Sequence, residues 1–249
     1  MGKVIVIEGS DGSGKETQTR LLGKYLKEQG CPVRMVNYPN YGSESSALVR
    51  MYLGREFGSD ALAVNAYVAS AFYAVDRFAS YLKEWKTFYE AGDDHIVICD
   101  RYVTSNMLHQ ASKLDTLEER LAFLDWEYDF EYMKGGLPVP DHVFFLDVPP
   151  EVSADLIRER ANKITHEAQK DIHEANPEFL RRSYENSMLL VERYGWDRVE
   201  CCDGQGKLKS IEEIHRMLRS RIAAEHPCPG KAVRAKEQSA DLGAGGKCQ

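Results

Sequence analysis

No stretch of the 249-residue chain is apolar for the roughly 20 residues a membrane-spanning helix requires. The first residues, MGKVIVIEG, lack the basic and apolar regions of a secretory leader. The chain also lacks a basic excess. Its formal net charge is −7, which disfavours coating a long nucleic acid duplex but leaves room for a small anion held by a local cluster of amides and cations. Its six cysteines (Cys31, Cys99, Cys201, Cys202, Cys228 and Cys248) form no C-x-x-C pair and no zinc-type spacing with histidines. That usage predicts a reducing, cytoplasmic setting without structural disulfides. No internal repeat is visible. No Ser-His-Asp set can be placed on one face, and His95, His142 and His215 stand singly in strand or helix patterns.

What is present is an alternation. Short β-rich runs occur at Lys3–Glu8, Val33–Asn37, His95–Cys99, Val143–Leu146 and Arg198–Cys202. Helical patterns occupy Lys15–Gln29, Ser45–Leu53, Ala61–Glu90, Thr116–Met133, Pro150–Ala161, Asn176–Tyr194 and Ser210–Ala224. Strands alternating with helices predict an α/β fold: a five-stranded parallel sheet with helices on both faces, in three layers. In such sheets ligands sit at the carboxyl ends of the strands. After about residue 226 the sequence turns to Pro, Gly, Ala and Lys and loses periodicity. The expectation is one domain over residues 1–225 followed by a disordered tail over 226–249.

Two strand ends carry chemistry. The first strand runs into GSDGSGKET, which meets the phosphate-loop pattern at Gly9, Gly14 and Lys15 but has Glu16 in place of the usual hydroxyl residue. Gly9, Ser10, Asp11, Gly12, Ser13 and Gly14 would turn backbone N–H groups inward around phosphate oxygens. Lys15, Glu16 and Thr17 open the following helix, whose N-terminus favours an anion. The third strand ends in CDRY. Asp100 is placed to hold Mg²⁺ near nucleotide phosphates, and Arg101 to clamp a phosphate. Glu16, a hard oxygen donor, can join Asp100 on the metal or pair with a lysine such as Lys163 or Lys170.

These motifs, with Tyr38-Pro39 after the second strand, Tyr73 and Arg77 in FYAVDRF, DRYVTSN, and LDVPPE at Leu146 to Glu151, resemble the thymidylate kinases over roughly residues 1–220. The resemblance implies a P-loop NTP hydrolase-like fold with a helical lid over about 158–175. It implies transfer of a phosphoryl group from ATP to dTMP with Mg²⁺, in a homodimer. Carried over position by position, it implies that Asp11 meets the sugar 3′-OH or phosphate region and that Pro39 lines the acceptor site. Tyr73 would stack on thymine, Arg77 would bond O4, Asn106 would read the base near N3, and Arg101 would hold the dTMP phosphate. His109 takes a position where the family often has Tyr.

The charged segment Arg158 to Arg182 occupies the lid position. The family pattern has an Arg and an aromatic between two acids, whereas this chain reads Asp171-Ile172-His173-Glu174. The resemblance places Asp171 and Glu174 near the acceptor. Gly12 replaces a loop Arg of some relatives, so Lys163 and Lys170 become the candidate cations on the transferred group. Arg158 and Arg160 stand behind them, and Arg158 can alternatively stack on adenine. Two other readings remain open: a deoxynucleoside or other nucleoside monophosphate kinase, and a degenerate nucleotide-binding protein.

Overall fold

A computed structural model of the chain describes residues 1–58, 60, 62–156 and 177–225. The lid candidates Arg158, Lys163, Lys170, Asp171 and Glu174 lie outside them, as does the tail. Five strands form one sheet: β1 (Lys3–Gly9), β2 (Val33–Asn37), β3 (Ile96–Asp100), β4 (His142–Asp147) and β5 (Asp197–Glu200). Their spatial order is β2-β3-β1-β4-β5, and every pairing is parallel. The three inner strands are the most continuously apolar because both of their faces are covered. At the edge, Arg34, Met35 and Asn37 of β2 are exposed.

The side-chain alternation of each strand divides the core into two layers. Ile5, Ile7, Ile98, Phe144 and Leu146 point to one face. There they meet Leu22 and Leu26 of α1 (Lys15–Glu28) and Leu218 and Ile222 of α9 (Ile211–Glu225). Val4, Val6, Val97, Cys99 and Phe145 point to the other. There they meet Val103 and Met107 of α5 (Val103–His109), Phe123 of α6 (Leu117–Glu127) and Leu190 of α8 (Pro177–Tyr194). The remaining helices are α2 (Ala47–Leu53), α3 (Ala66–Ser80), α4 (Lys86–Glu90) and α7 (residues 150–156 as described).

The structure corrects several local expectations. The run at Ala61–Glu90 is not one helix. Asn65 caps α3 by accepting the Val68 N–H, and a π-helical turn at Tyr81–Trp85 separates α3 from α4. That turn seats Trp85 in the core, with its Nε1 donating to Tyr38 Oη at 2.9 Å. A second π-helical segment, Tyr128–Lys134, follows α6. The last strand stops at Glu200, and Cys202 makes only an isolated antiparallel bridge to Leu208. The helix α5 was not anticipated, since DRYVTSN reads as a motif and its seven helical residues are too few for a clear period. Cys31 is disulfide-bonded, contrary to the cysteine reading. Spacing along the chain could not show that α9 lies alongside α1, joined by Gln18 Nε2 to Ile211 O at 3.0 Å, and ends on the face where Cys31 packs.

This topology positions the site. The loop leaving β1 feeds α1 on one face, while the loop leaving the adjacent β3 feeds α5 on the other. A crevice therefore opens between the carboxyl ends of β1 and β3.

Candidate active site

On the β1 side of the crevice, Gly9 has φ 153°. A Cβ there would lie 2.9 Å from Leu146 O and 2.7 Å from Ser13 Oγ, so the loop can leave the sheet this tightly only with glycine. Gly14 caps α1 in the left-handed region (φ 88°), and no side chain caps that helix. Its first N–H groups thus open into the loop. The hydroxyls of Ser10 and Ser13 are buried and have no hydrogen-bond partner among the described residues. Lys15 is buried beneath the loop, and its Nζ donates to Gly9 O (3.0 Å) and Ser10 O (2.8 Å). Burial, followed by the nearby Arg101 charge, lowers its pKa to about 8. Donors without acceptors, inside a turn only glycine can make, suit the phosphates of a nucleotide.

On the β3 side, Arg101 adopts φ 66°, a left-handed conformation that costs a non-glycine residue about 1–2 kcal/mol. The turn throws its guanidinium back across the crevice. There it pairs with Asp11, lies 3.8 Å from Glu8 and donates to His109 Nε2 at 3.1 Å. Asp11 also lies 3.7 Å from Lys15. Glu8 is wholly buried and accepts from Thr104 Oγ1 (2.9 Å) and Ser105 Oγ (2.7 Å), which ties the end of β1 to the start of α5.

Asp100 closes β3. Burial raises its pKa, Lys15 and Arg101 oppose that, and the charges of Glu8 and Glu16 raise it further. Glu16 is exposed in the first turn of α1, near enough to act on Asp100. No group of three or more metal-binding side chains occurs among the described residues. Two carboxylates beside a phosphate loop suit Mg²⁺, which is commonly held by one or two carboxylates plus substrate phosphates and water.

Next to Arg101 lies a cavity of about 220 Å³. Seven residues expected in the acceptor site line it: Asp11, Pro39, Tyr73, Arg77, Arg101, Asn106 and His109. Sequence reasoning missed Tyr41, Ser105 and Gln110 among its walls. Gln110 follows Asn106 by one helical turn, a signal usable only once α5 is known. The loop carrying Pro39 and Tyr41 is fastened by Asp76, which accepts from Asn40 N (2.7 Å) and Ser45 Oγ (2.6 Å). Arg50 braces the same loop, donating to Tyr41 O, Ser43 O and Ser46 Oγ.

Arg77 lines the cavity with two of its nitrogens engaged by Glu131, leaving Nη1, which among the described residues donates to Tyr102 O at 3.4 Å.

The thymidylate kinase profile matches residues 7–196. The chain belongs to the thymidylate kinase family. It is similar to a Thermococcus kodakarensis protein named "Probable thymidylate kinase", with 32% identity over 88% of this chain and 96% of the relative. It is also similar to the thymidylate kinase of Plasmodium falciparum, at 30% over 89% and 90%. Among solved structures, Candida albicans thymidylate kinase shares the fold, with a TM-score of 0.66 and 20% identity over 90% of this chain and 92% of that one.

Proposed function

We propose that the chain transfers the γ-phosphoryl group of ATP to the 5′-phosphate of dTMP, giving dTDP and ADP. One observation carries the reading: a cavity of about 220 Å³ adjoins the phosphate loop, and Arg101 stands between them. An acceptor phosphate held by Arg101 faces the end of the donor triphosphate. Its oxygen forms the new bond to the γ-phosphorus as the bond to the β,γ-bridging oxygen breaks. Tyr73 would stack on thymine, while Arg77 Nη1 and Asn106 meet its polar edge. Lys15 would meet the β- and γ-phosphates, and the loop over Gly9–Gly14 the triphosphate backbone. Asp100 and Glu16 would hold Mg²⁺, which neutralises phosphate charge when bound. The remaining work for the protein is positioning and charge stabilisation.

The acceptor is a monophosphate rather than a nucleoside. A nucleoside hydroxyl needs a base to deprotonate it, whereas a phosphate is already an anionic nucleophile. The strand β2 ends in Asn37 followed by Tyr38 and Pro39, with no carboxylate. Asp11, the only carboxylate among the residues lining the cavity, is paired with Arg101.

We further propose one kinase domain over residues 1–225, with a lid at 158–175 whose Lys163, Lys170 and Arg158 supply cations, Asp171 and Glu174 near the acceptor, and a dispensable tail at 226–249. The setting is cytoplasmic, and the substrates are small molecules rather than nucleic acid. No helix among the described residues is long and apolar enough to cross a membrane. A homodimer is supported by the exposed apolar residues Val68, Val75 and Leu82, spaced by seven along α3 and its extension. Steady-state turnover with dTMP, dUMP, UMP and thymidine under ATP and Mg²⁺ tests the assignment. The expected order puts dTMP first and thymidine at background; equal rates on UMP and dTMP refute it.

A further inference from the structure

Behind the acceptor cavity three helical segments bring together four polar side chains that solvent barely reaches. Arg77 comes from α3, Asn106 from α5, and Glu127 and Glu131 from the junction of α6 with its π-helical extension. The two glutamates are one turn apart and share a face. Glu131 grips the guanidinium with both oxygens, through Arg77 Nε to Oε2 at 2.7 Å and a close contact from Nη2 to Oε1. Glu127 Oε1 lies 4.0 Å from the same Nη2. Asn106 Nδ2 faces Glu127 Oε1 at 2.8 Å, Glu131 Oε1 at 3.2 Å and Ser70 O at 3.2 Å.

Two features bear on how this cluster works. The first is charge. Two buried carboxyls face a single guanidinium, so full ionisation would leave one buried negative charge uncompensated, which is costly. No donor among the described residues reaches Glu127 Oε2. Burial and then the Glu131 charge raise the Glu127 pKa well above the carboxylate range. A proton on Glu127 removes the excess charge. The second feature is polarity. Carboxylate oxygens accept, so the amide NH₂ of Asn106 must turn toward them, and its Oδ1 is the amide atom not committed to the pair. Arg77 can only donate, and Glu131 occupies every guanidinium nitrogen except Nη1. The acids thus orient an acceptor and a donor on two residues that line the cavity.

We propose that Glu131 and Glu127, as a singly charged pair, are positioning residues that fix the hydrogen-bond polarity of the base-reading wall. They hold Arg77 as a donor and Asn106 as an acceptor, so that the wall selects a pyrimidine with a carbonyl at C4 and a proton on N3. Cytosine presents the reverse pattern, an amino group at C4 and a bare N3, and meets a donor with a donor and an acceptor with an acceptor. The proposal rests on the dTMP kinase reading of the same cavity.

E131Q tests it. The amide of the new side chain cannot grip Arg77 with two acceptors, and its NH₂ opposes that of Asn106. Glu127 can ionise in its place, so the cluster remains neutral. The expected result is a fall of about tenfold or more in kcat/KM for dTMP relative to dCMP, the loss of one charge-assisted contact, with KM for ATP within about twofold of wild type. E127Q leaves the Arg77–Glu131 fork in place and should lower the same ratio by less than about a third of that factor. As a readout independent of turnover, infrared spectra of wild-type protein at neutral pH should contain a protonated carboxyl band that E127Q lacks. An unchanged dTMP-to-dCMP ratio in folded E131Q overturns the proposal, as does a wild-type spectrum without that band. Wild-type turnover of dTMP separates this outcome from failure of the functional reading: without such turnover both fall, and with it only the role of the acid pair is in question.

Discussion

Replacing Arg101 probes the reasoning at its most exposed point, because one side chain joins the phosphate loop to the acceptor cavity. In the structure its guanidinium meets Asp11, lies 3.8 Å from Glu8 and reaches His109 Nε2 at 3.1 Å, so it is preorganised by anions on the loop side. A bound phosphate would add two charge-assisted hydrogen bonds through the planar fork, each contributing about 1.5–3 kcal/mol. R101A therefore forfeits about 3–6 kcal/mol of acceptor binding and transition-state stabilisation, or roughly 10²- to 10⁴-fold in kcat/KM for dTMP. R101K keeps the charge but offers a point donor in place of a fork, and should lose about one of the two bonds, roughly 10- to 100-fold. The fold should survive both changes, since Glu8 keeps Thr104, Ser105 and the Gly9 N–H as donors. The assay is coupled ADP release with dTMP varied at saturating ATP, then the reverse, alongside a melting curve. If R101K matches wild type, the bidentate geometry is irrelevant. If R101A raises KM for ATP and leaves dTMP kinetics intact, Arg101 belongs to the donor site and the cavity has been misassigned.

Three further outcomes are expected. K15M removes the buried cation under the loop and should lower kcat about 10²- to 10³-fold, with dTMP binding retained in calorimetry; near-normal turnover would remove Lys15 from the reaction. E16S should raise the Mg²⁺ concentration for half-maximal rate about tenfold if Glu16 reaches the metal, whereas an unaltered Mg²⁺ titration assigns it to pairing with a lid lysine instead. Lys113 donates to Tyr52 Oη (2.8 Å) and Val64 O (2.9 Å), and burial lowers its pKa to about 7. The folded state then binds fewer protons than the unfolded state between about pH 7 and the ordinary lysine range. This group's contribution to stability should rise with pH across that window, by up to about 1.4 kcal/mol per pH unit. Urea unfolding at pH 7 and pH 9 should show a steeper pH gain in wild type than in K113M, and parallel behaviour would contradict the assigned burial.

The chain order alone carried much of this molecule. Alternating apolar runs specified a parallel sheet because inner strands buried on both faces must be apolar at nearly every position. Gly9, Gly14 and Lys15 marked a tight turn from strand to helix, because glycine alone takes those backbone angles without strain. Asp100 and Arg101 were legible by position: a charged pair ending an apolar strand falls at the carboxyl end of the sheet.

What the sequence left undecided depends on residues far apart meeting. Arg77 reads as a donor for the base, and only the packing of α3 against the π-helical segment after α6 shows Glu131, 54 positions away, holding most of it. Nothing in the local pattern marks out Glu127 and Glu131, yet both are wholly buried against Arg77 and Asn106. The helix α5, which presents Asn106 to the cavity and ends just before Gln110, is too short to show a period and is held instead by tertiary bonds such as Asn186 Nδ2 to Met107 O and Leu108 O. Local pattern follows from the backbone's own periodicity and is therefore written along the chain. The pairing of buried charges is set by which faces the sheet topology brings together, and that is decided only when the helices pack.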